Sequence, residues 1–175
     1  IILTLKKSLF NELDIFNTKS PLLIMDIPTI PLWDNSLEDG CNLIIPFQDP
    51  ANVGSVIRSA VAFNIKKIII LKESANPFHP KSIRASVGTV FQAPLYYGPS
   101  LKKLRTENPV IALDMAGTNI KNYTFPQKYL LLAGIEGPGL PADYTHNTIA
   151  IPLQNNVDSL NAAVSVSIAL YEIQN

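Results

Sequence analysis

Residues 42–71, NLIIPFQDPANVGSVIRSAVAFNIKKIIIL, decide the fold, because two short apolar runs flank a segment with helical spacing. NLIIPF (42–47) and KKIIIL (66–71) contain the continuous β-branched runs typical of strands buried in parallel sheets. VGSVIRSAVAF (53–63) predicts a helix that ends at Asn64, since asparagine tolerates the left-handed conformation that can terminate a helix. The stretch therefore predicts a strand, a helix and a second strand parallel to the first.

The same alternation continues towards the C-terminus. Strands are expected at APLYY (93–97), PVIALD (109–114), KYLLLAG (128–134) and NTIAIPL (147–153). Helices are expected at HPKSIRASVG (79–88), SLKKLRTE (100–107) and SLNAAVSVSIALYEIQ (159–174). Five or six strands that alternate with helices predict an α/β fold with a mostly parallel sheet and helices on both faces.

The N-terminal 40 residues follow a different pattern. Residues 3–16 have loosely helical apolar spacing, and PLLIMD (21–26) predicts a short strand. The next segment, IPTIPLWDNSLEDG (27–40), predicts a linker, in which Pro28 and Pro31 prevent regular pairing. We expect a domain boundary there. The chain begins with Ile1 rather than Met, which indicates a processed product or a fragment of a longer protein.

Composition bounds the class of protein. The chain has 175 residues, of which 47% are hydrophobic and 16% charged, which suits one globular domain. No apolar run reaches the roughly 18 residues of a membrane span, and no signal-peptide layout opens the chain. A single cysteine, Cys41, excludes an internal disulfide framework, and two scattered histidines argue against a zinc site. These features favour a cytoplasmic protein with no membrane segment and no metal.

Charge is unevenly distributed although the net charge is zero. Residues 42–131 carry eleven lysines and arginines against four carboxylates. A basic middle is compatible with a polyanionic partner, but an ordinary solvated surface explains it nearly as well. Lys81 and Arg84 lie three residues apart on one helical face, where they could contact phosphate or simply face solvent.

In parallel sheets, ligands bind beyond the carboxyl ends of the strands, so the loops after strands are the places to search. The first such loop, QDPANVGSVIR (48–58), contains Asn52, Gly54 and Arg58. Gly54 allows a close backbone approach, and Arg58 lies about one helical turn in, where its guanidinium could hold a phosphate or a nucleotide sugar. The alternative is that Asn52 caps the helix and Arg58 is solvated.

Two further loops follow later strands. GIEGPGL (134–140) has three glycines in six residues and the carboxylate Glu136, but no Lys-Ser/Thr pair follows as in a P-loop; a ligand loop and a plain tight turn are both open. PLQNNVDSLN (152–161) predicts a turn at Asn155-Asn156 and a helix cap at Asp158 or Ser159. Asn161 then falls in the first helical turn, where capping does not require it. No serine, cysteine or histidine combination supports a catalytic triad.

Taken together, these segments resemble the SpoU (TrmH-like) branch of the SPOUT class of RNA methyltransferases. The matching stretches are NLIIPFQDPANVGSVIRSAVAFN, PKSIRASVGTVFQAPL, LLLAGIEGPGL and IAIPLQNNVDSLNAAVSVSIALYE, so the resemblance covers residue 42 to the end. It implies a C-terminal trefoil (α/β) knot, a homodimer and the cofactor S-adenosyl-L-methionine, with Gly134, Ile151 and Leu160 lining the cofactor pocket. Residues 41–175 would form the methyltransferase domain, and residues 1–40 the remnant of an N-terminal substrate-binding domain plus a linker.

The reaction that the resemblance implies is methylation of a ribose 2′-hydroxyl in RNA, with ribosomal RNA favoured over transfer RNA. Arg58 would be the key catalytic residue, surrounded by Asn52, Glu136, Ser159 and Asn161. A guanidinium hardly ever deprotonates, so we expect Arg58 to orient the substrate and stabilise the developing alkoxide rather than act as a base. The rival hypotheses are an inactive RNA-binding module of the same fold and a nucleotide-binding metabolic enzyme, which would require more glycine after the first strand.

Overall fold

The computed structural model describes residues 2–133, 141–154, 157 and 159–174. Within these residues six strands form one sheet in the order β3-β2-β1-β5-β4-β6, and every pairing is parallel. The strands are β1 (Gly40–Ile45), β2 (Ile68–Ile70), β3 (Leu95–Tyr97), β4 (Val110–Asn119), β5 (Lys128–Leu132) and β6 (Thr148–Ala150). The α-helices are α1 (Lys7–Leu13), α2 (Pro50–Ala62), α3 (Pro80–Ser86) and α4 (Ala162–Gln174). The predicted parallel α/β architecture is confirmed.

Both faces of the sheet are buried, and successive strand side chains point to opposite faces. Leu43 and Ile45 of β1 belong to the core beneath α2 and α4, while Ile44 between them faces the other side. That second face is covered by Trp33 and by residues of two short 3-10 helices, Leu101–Lys103 and Ala142–Tyr144. The sheet therefore has helices on both faces, with α-helices on one and 3-10 turns on the other.

The helix predicted after β1 begins three residues earlier than its apolar spacing indicates. Asp49 is its N-cap, accepting a hydrogen bond from the Ala51 amide at 2.9 Å, and Pro50 takes the first helical position. The interpretation of Asn52 as the cap is therefore wrong: Asn52 lies inside the first turn and is 8% exposed. The predicted end is confirmed, since Asn64 has a left-handed φ of 56° just beyond the helix.

Two predicted elements differ from the structure. Residues 21–26 form no strand, because no neighbouring strand pairs with them, and Leu23 and Ile24 are exposed. The helix predicted over 100–107 is reduced to the 3-10 helix Leu101–Lys103. Leu101 and Leu104 are both buried against the sheet, and their three-residue spacing matches a 3-10 turn rather than a longer α-helix.

Residues 31–37 of the expected linker run along the outer edge of β3. Trp33 and Tyr97 are joined by a backbone hydrogen bond of 2.8 Å, and the Tyr97 amide donates to Pro31 at 2.8 Å. The buried Lys67 ammonium donates to the Ser36 carbonyl and hydroxyl oxygens at 3.0 and 2.6 Å. The prolines thus prevent a regular strand but allow a short bridge, which fixes this segment to the sheet.

Residues 134–140, which contain the predicted glycine-rich loop, and Asn155, Asn156 and Asp158 lie outside the described residues. The threading of the predicted knot involves these segments and stays a prediction. In the part of the chain that the structure describes, no helix is long and apolar enough to cross a membrane. The same residues include no group of three or more His, Cys, Asp or Glu side chains arranged to hold a metal ion.

Candidate active site

The parallel sheet brings the predicted loops to one edge. The chain leaves β1 into α2, leaves β5 at Ala133, and leaves β6 at Ile151. Since all strands point the same way, these exits share the carboxyl edge, which is where ligands bind in such sheets. We call it the carboxyl edge below and its opposite the amino edge.

Asn161 joins the start of α4 to the start of α2. Its side-chain oxygen accepts hydrogen bonds from the Ala163 and Val164 amides at 2.9 and 3.2 Å, which makes it the capping side chain of α4. Its amide nitrogen donates to the Asn52 side-chain oxygen at 3.1 Å. The expectation that capping does not require Asn161 is wrong, because α4 begins at Ala162 rather than near Ser159. Asn161 is both a helix cap and a link between two helices.

Two serines join the same helices one to two turns further along. The hydroxyls of Ser59 and Ser167 lie 2.7 Å apart, while Ser167 also lies 2.7 Å from the Ala163 carbonyl and Ser59 lies 3.2 Å from the Ser55 carbonyl. Two hydroxyl protons cannot make three hydrogen bonds at once. The shorter distances indicate that Ser59 donates to Ser167 and Ser167 donates to Ala163. This contact fixes the spacing of α2 and α4.

An open groove of about 670 Å³ lies between α2 and α4. Arg58 and Asn161 line it together with small and apolar side chains, which are Ser55, Ser59, Ala62, Phe63, Ala85, Ala163, Val164, Ser167, Ile168 and Tyr171. Arg58 is exposed and makes no hydrogen bond or ion pair with any described residue. Its guanidinium lines the groove, and no described residue occupies any of its donors.

Gly54 lies where α2 packs closely against α3. A Cβ at this position would collide with the Ser82 carbonyl oxygen and lie 2.9 Å from the Ala85 Cβ. The predicted close backbone approach at Gly54 is therefore made by a neighbouring helix of the protein itself. Glycine sets the position of α3 against the helix that carries Arg58.

Three other predicted site residues that the structure describes do not line this groove. Ser159 is exposed, and Leu160 and Ile151 are half-buried on the segment between β6 and α4; none of the three lines the groove. Gly134 and Glu136 lie outside the described residues. Of the predicted residues, the structure thus brings together Asn52, Asn161 and Arg58, the first two in direct contact.

Sequence reasoning missed Asp49 and the serine pair. Asp49 could have been found, because an aspartate directly before a proline is a typical helix start. Ser59 and Ser167 carry no such signal, since their contact joins positions 108 residues apart. Burial also raises the pKa of the Cys41 thiol to about 12 and raises the pKa of the Tyr129 phenol, but both begin strands at the amino edge, away from the groove.

Known proteins are similar in sequence to this chain. A family model described as the SpoU rRNA Methylase family matches residues 43–171. The ribosomal RNA small subunit methyltransferase G 2 of Syntrophobacter fumaroxidans is 46% identical over 166 residues, which are 94% of this chain and 33% of that protein. The 23S rRNA (uridine(2479)-2′-O)-methyltransferase of Streptomyces viridochromogenes is 33% identical over 140 residues, 70% of this chain and 48% of that protein.

A solved structure agrees with the sequence relatives. The SpoU methyltransferase AviRb from Streptomyces viridochromogenes, in complex with the cofactor AdoMet, superposes with a TM-score of 0.72 at 28% identity, covering 85% of this chain and 62% of that chain. This chain spans about a third to a half of the curated relatives that it matches. The family match covers well over half of the chain and includes the second half of β1, all of α2 and most of α4. The chain belongs to the SpoU rRNA methylase family.

Proposed function

We propose that this protein transfers the methyl group of S-adenosyl-L-methionine to a ribose 2′-hydroxyl in RNA. The observation that carries the proposal is the junction of α2 and α4, where exposed Arg58 shares a groove with Asn161 and Asn161 is held by Asn52. Relatives named as ribosomal RNA methyltransferases favour ribosomal over transfer RNA as the substrate. We place the enzyme in the cytoplasm, in keeping with the composition.

The residues present fit a cofactor at the carboxyl edge. Ile151 and Leu160 offer half-buried apolar side chains at the two ends of the segment that follows β6, as contact with a purine ring requires. The chain is buried at Leu132 and Ala133, the last two described residues before Gly134. The cofactor supplies an electrophilic methyl group on a sulfonium. Gly134, Ile151 and Leu160 are the residues that would hold it.

Arg58 is the residue to which we assign substrate orientation. In the reaction the ribose oxygen would take up the methyl group that the cofactor supplies, the electron pair of the carbon–sulfur bond would return to sulfur, and the hydroxyl proton would pass to solvent water. The guanidinium stays protonated throughout and stabilises negative charge on the ribose oxygen or on an adjacent phosphate. Asn52 and Asn161 hold α2 and α4 in register, and Ser159 and Glu136 complete the proposed site. Positioning matters here because methyl transfer needs an in-line approach.

We further propose that the functional unit is a homodimer that uses the α2–α4 face. Val164 is 46% and Tyr171 is 55% exposed on α4, next to the groove that Arg58 lines. A second copy of this chain would cover these apolar side chains and complete the walls of the groove. We also propose that residues 1–40 are the remnant of a substrate-binding domain plus a linker. The C-terminal segment would form the trefoil knot.

Calorimetry with S-adenosyl-L-methionine, followed by methyl transfer to ribosomal RNA, tests the proposed function. We expect Arg58→Ala to bind the cofactor like the wild type and to lose transfer by two to three orders of magnitude, as when one preorganised donor is removed. Arg84→Ala is the matched control, because the Arg84 guanidinium stacks on Phe16 at 4.6 Å outside the groove. A wild type that binds no cofactor would instead favour the inactive RNA-binding module. Lost cofactor binding in Arg58→Ala with normal turnover per occupied site would overturn its assigned role.

A further inference from the structure

The loops that follow β2 and β3 are joined into one rigid unit at the carboxyl edge. The Gly98 amide donates to the Ile70 carbonyl at 2.8 Å, and the Lys72 amide donates to the Pro99 carbonyl at 3.2 Å. The Glu73 carboxylate accepts from the Leu101 amide with both oxygens, at 3.0 and 3.1 Å. Both loops therefore hold a defined backbone conformation beyond the ends of their strands.

The turn Leu101–Lys103 is also held in place by the sheet and by Tyr144. Leu101 and Leu104 are 7% and 3% exposed and pack on the second face of the sheet. The Tyr144 hydroxyl lies 3.3 and 3.4 Å from the Leu101 and Leu104 carbonyls, and Tyr144 follows the glycine-rich segment 134–140 by four positions. Since the apolar side chains of the turn point inward, Lys102 and Lys103 are exposed.

This unit carries exposed positive charge that forms no ion pair with the carboxylates that the structure describes. Lys72, Lys102 and Lys103 are all exposed, and none lies in an ion pair with a described carboxylate. Glu73 is the one acid among residues 71–105, against six lysines and arginines, and its oxygens are bound to the Leu101 amide. The ion pair that the described residues do form, Lys128 with Asp39 at 2.9 Å, lies at the amino edge.

The position of these lysines relates them to the proposed reaction. In the strand order, β5 lies two strands from β2 and three from β3. At the usual strand spacing this is about 10 to 14 Å from the strand that leads into the glycine-rich segment. A lysine side chain reaches across several ångströms more. The three lysines thus lie at the same edge of the sheet as the β5 exit, beside the path of an RNA strand that would run across the strand ends from a ribose held at Arg58.

We propose that Lys72, Lys102 and Lys103 form a basic platform that binds RNA phosphates flanking the target nucleotide. The inference rests on the proposed function and adds to it a surface that orients the RNA strand across β2 and β3. Lysine is suited to this use because it contacts phosphate as a point charge without demanding one geometry. The platform would contribute affinity in any sequence context and leave nucleotide choice to other groups.

The test is the salt dependence of RNA binding by the full chain. A fluorescein-labelled, unstructured 20-nucleotide RNA is titrated by anisotropy at several KCl concentrations against wild type, Lys102→Ala/Lys103→Ala and Lys72→Ala. Each phosphate contact contributes about 0.7 to the slope of log K against log salt for single strands. We expect the double variant to lose about 1.4 in slope and roughly 10- to 25-fold in affinity near 0.1 M salt. Calorimetry with S-adenosyl-L-methionine is run on every variant.

The matched control for Lys72→Ala is Lys66→Ala, which removes one exposed lysine at the amino edge that likewise lies in no ion pair with a described carboxylate. A lower slope in the platform variants alone, with unchanged cofactor affinity, supports the proposal. An unchanged slope, or an equal loss in platform and control variants, overturns it even when cofactor binding is normal. If the platform variants lower the slope as expected but the wild type binds no cofactor, the proposed function is contradicted and the platform still stands. A wild type that does not bind the RNA overturns the platform.

Discussion

The contact between Asn52 and Asn161 can be measured on its own, because Asn161 does two separable things. Its oxygen caps α4 and its nitrogen donates to Asn52 at 3.1 Å. Asn161→Ala removes both interactions. Asn161→Asp keeps an acceptor at the helix N-terminus, where a carboxylate is favourable, and removes the donor. The two variants therefore divide the capping energy from the energy of the interhelical hydrogen bond.

The expected free energies follow from these contacts. Loss of a cap costs about 1 kcal/mol, and loss of a hydrogen bond between side chains costs about as much. Asn161→Ala should therefore lower the free energy of unfolding by about 2 kcal/mol, a fall in Tm of about 4–8 °C for a domain of this size. Asn161→Asp should lose about 1 kcal/mol less than Asn161→Ala, because the cap survives.

A double-mutant cycle isolates the hydrogen bond. Urea unfolding followed by circular dichroism is measured for the wild type, Asn52→Ala, Asn161→Ala and the double variant. We expect a coupling energy of about 1 kcal/mol, since residues in direct contact couple and distant ones do not. A coupling energy within about 0.3 kcal/mol of zero would refute the contact, and an Asn161→Asp variant as unstable as Asn161→Ala would refute the capping role.

Three further predictions concern packing, backbone and pH. Gly54→Ala should destabilise the fold by about 1–3 kcal/mol in urea unfolding, because the new methyl group collides with the Ser82 carbonyl and this outweighs the gain in helix propensity. An unchanged or higher stability would contradict this close packing. Val87 ends α3 in the left-handed region at φ 53°, and its side chain is 67% exposed. Because asparagine adopts this conformation more readily than valine, Val87→Asn should raise the free energy of unfolding by about 1 kcal/mol. A lower value would show that the valine side chain contributes to packing. Burial raises the pKa of the Cys41 thiol to about 12, so its contribution to stability is full below the unfolded pKa of about 8.5 and is lost as pH rises towards 12. Wild type should therefore lose more stability than Cys41→Ala between about pH 8 and pH 10, and parallel losses would disprove it.

The parallel core could be predicted from the sequence because its signal is local. The runs around Ile44 and Ile69 are short, continuous and β-branched, which few other structures accommodate. The exposed run at Leu23 has the same local character but no strand beside it, and no local pattern reveals that absence. The same limit explains the turn at Leu101, whose shape is decided by burial of two leucines against the sheet.

For the candidate site, the sequence offers residues but not their geometry. Asn161 stands out in the sequence because a simple turn does not explain it, while its bond to Asn52 depends on a contact between positions 109 residues apart. The serine pair between α2 and α4 has the same origin. Helix starts depend on one or two residues, so a shift of α4 to Ala162 was enough to change which side chain caps it.

The central claim, methylation of a ribose oxygen, is tested most directly by methyl transfer itself. Ribosomal RNA from a strain that lacks the gene is incubated with the protein and S-adenosyl-L-methionine labelled in the methyl group, and the RNA is then hydrolysed in alkali. A 2′-O-methyl group blocks cleavage at its own nucleotide, because the free 2′-hydroxyl is the nucleophile of alkaline hydrolysis. We predict label in alkali-resistant dinucleotides with the wild type and none with Arg58→Ala. Label confined to mononucleotides, which marks methylation of a base, or no label with the wild type would contradict the account.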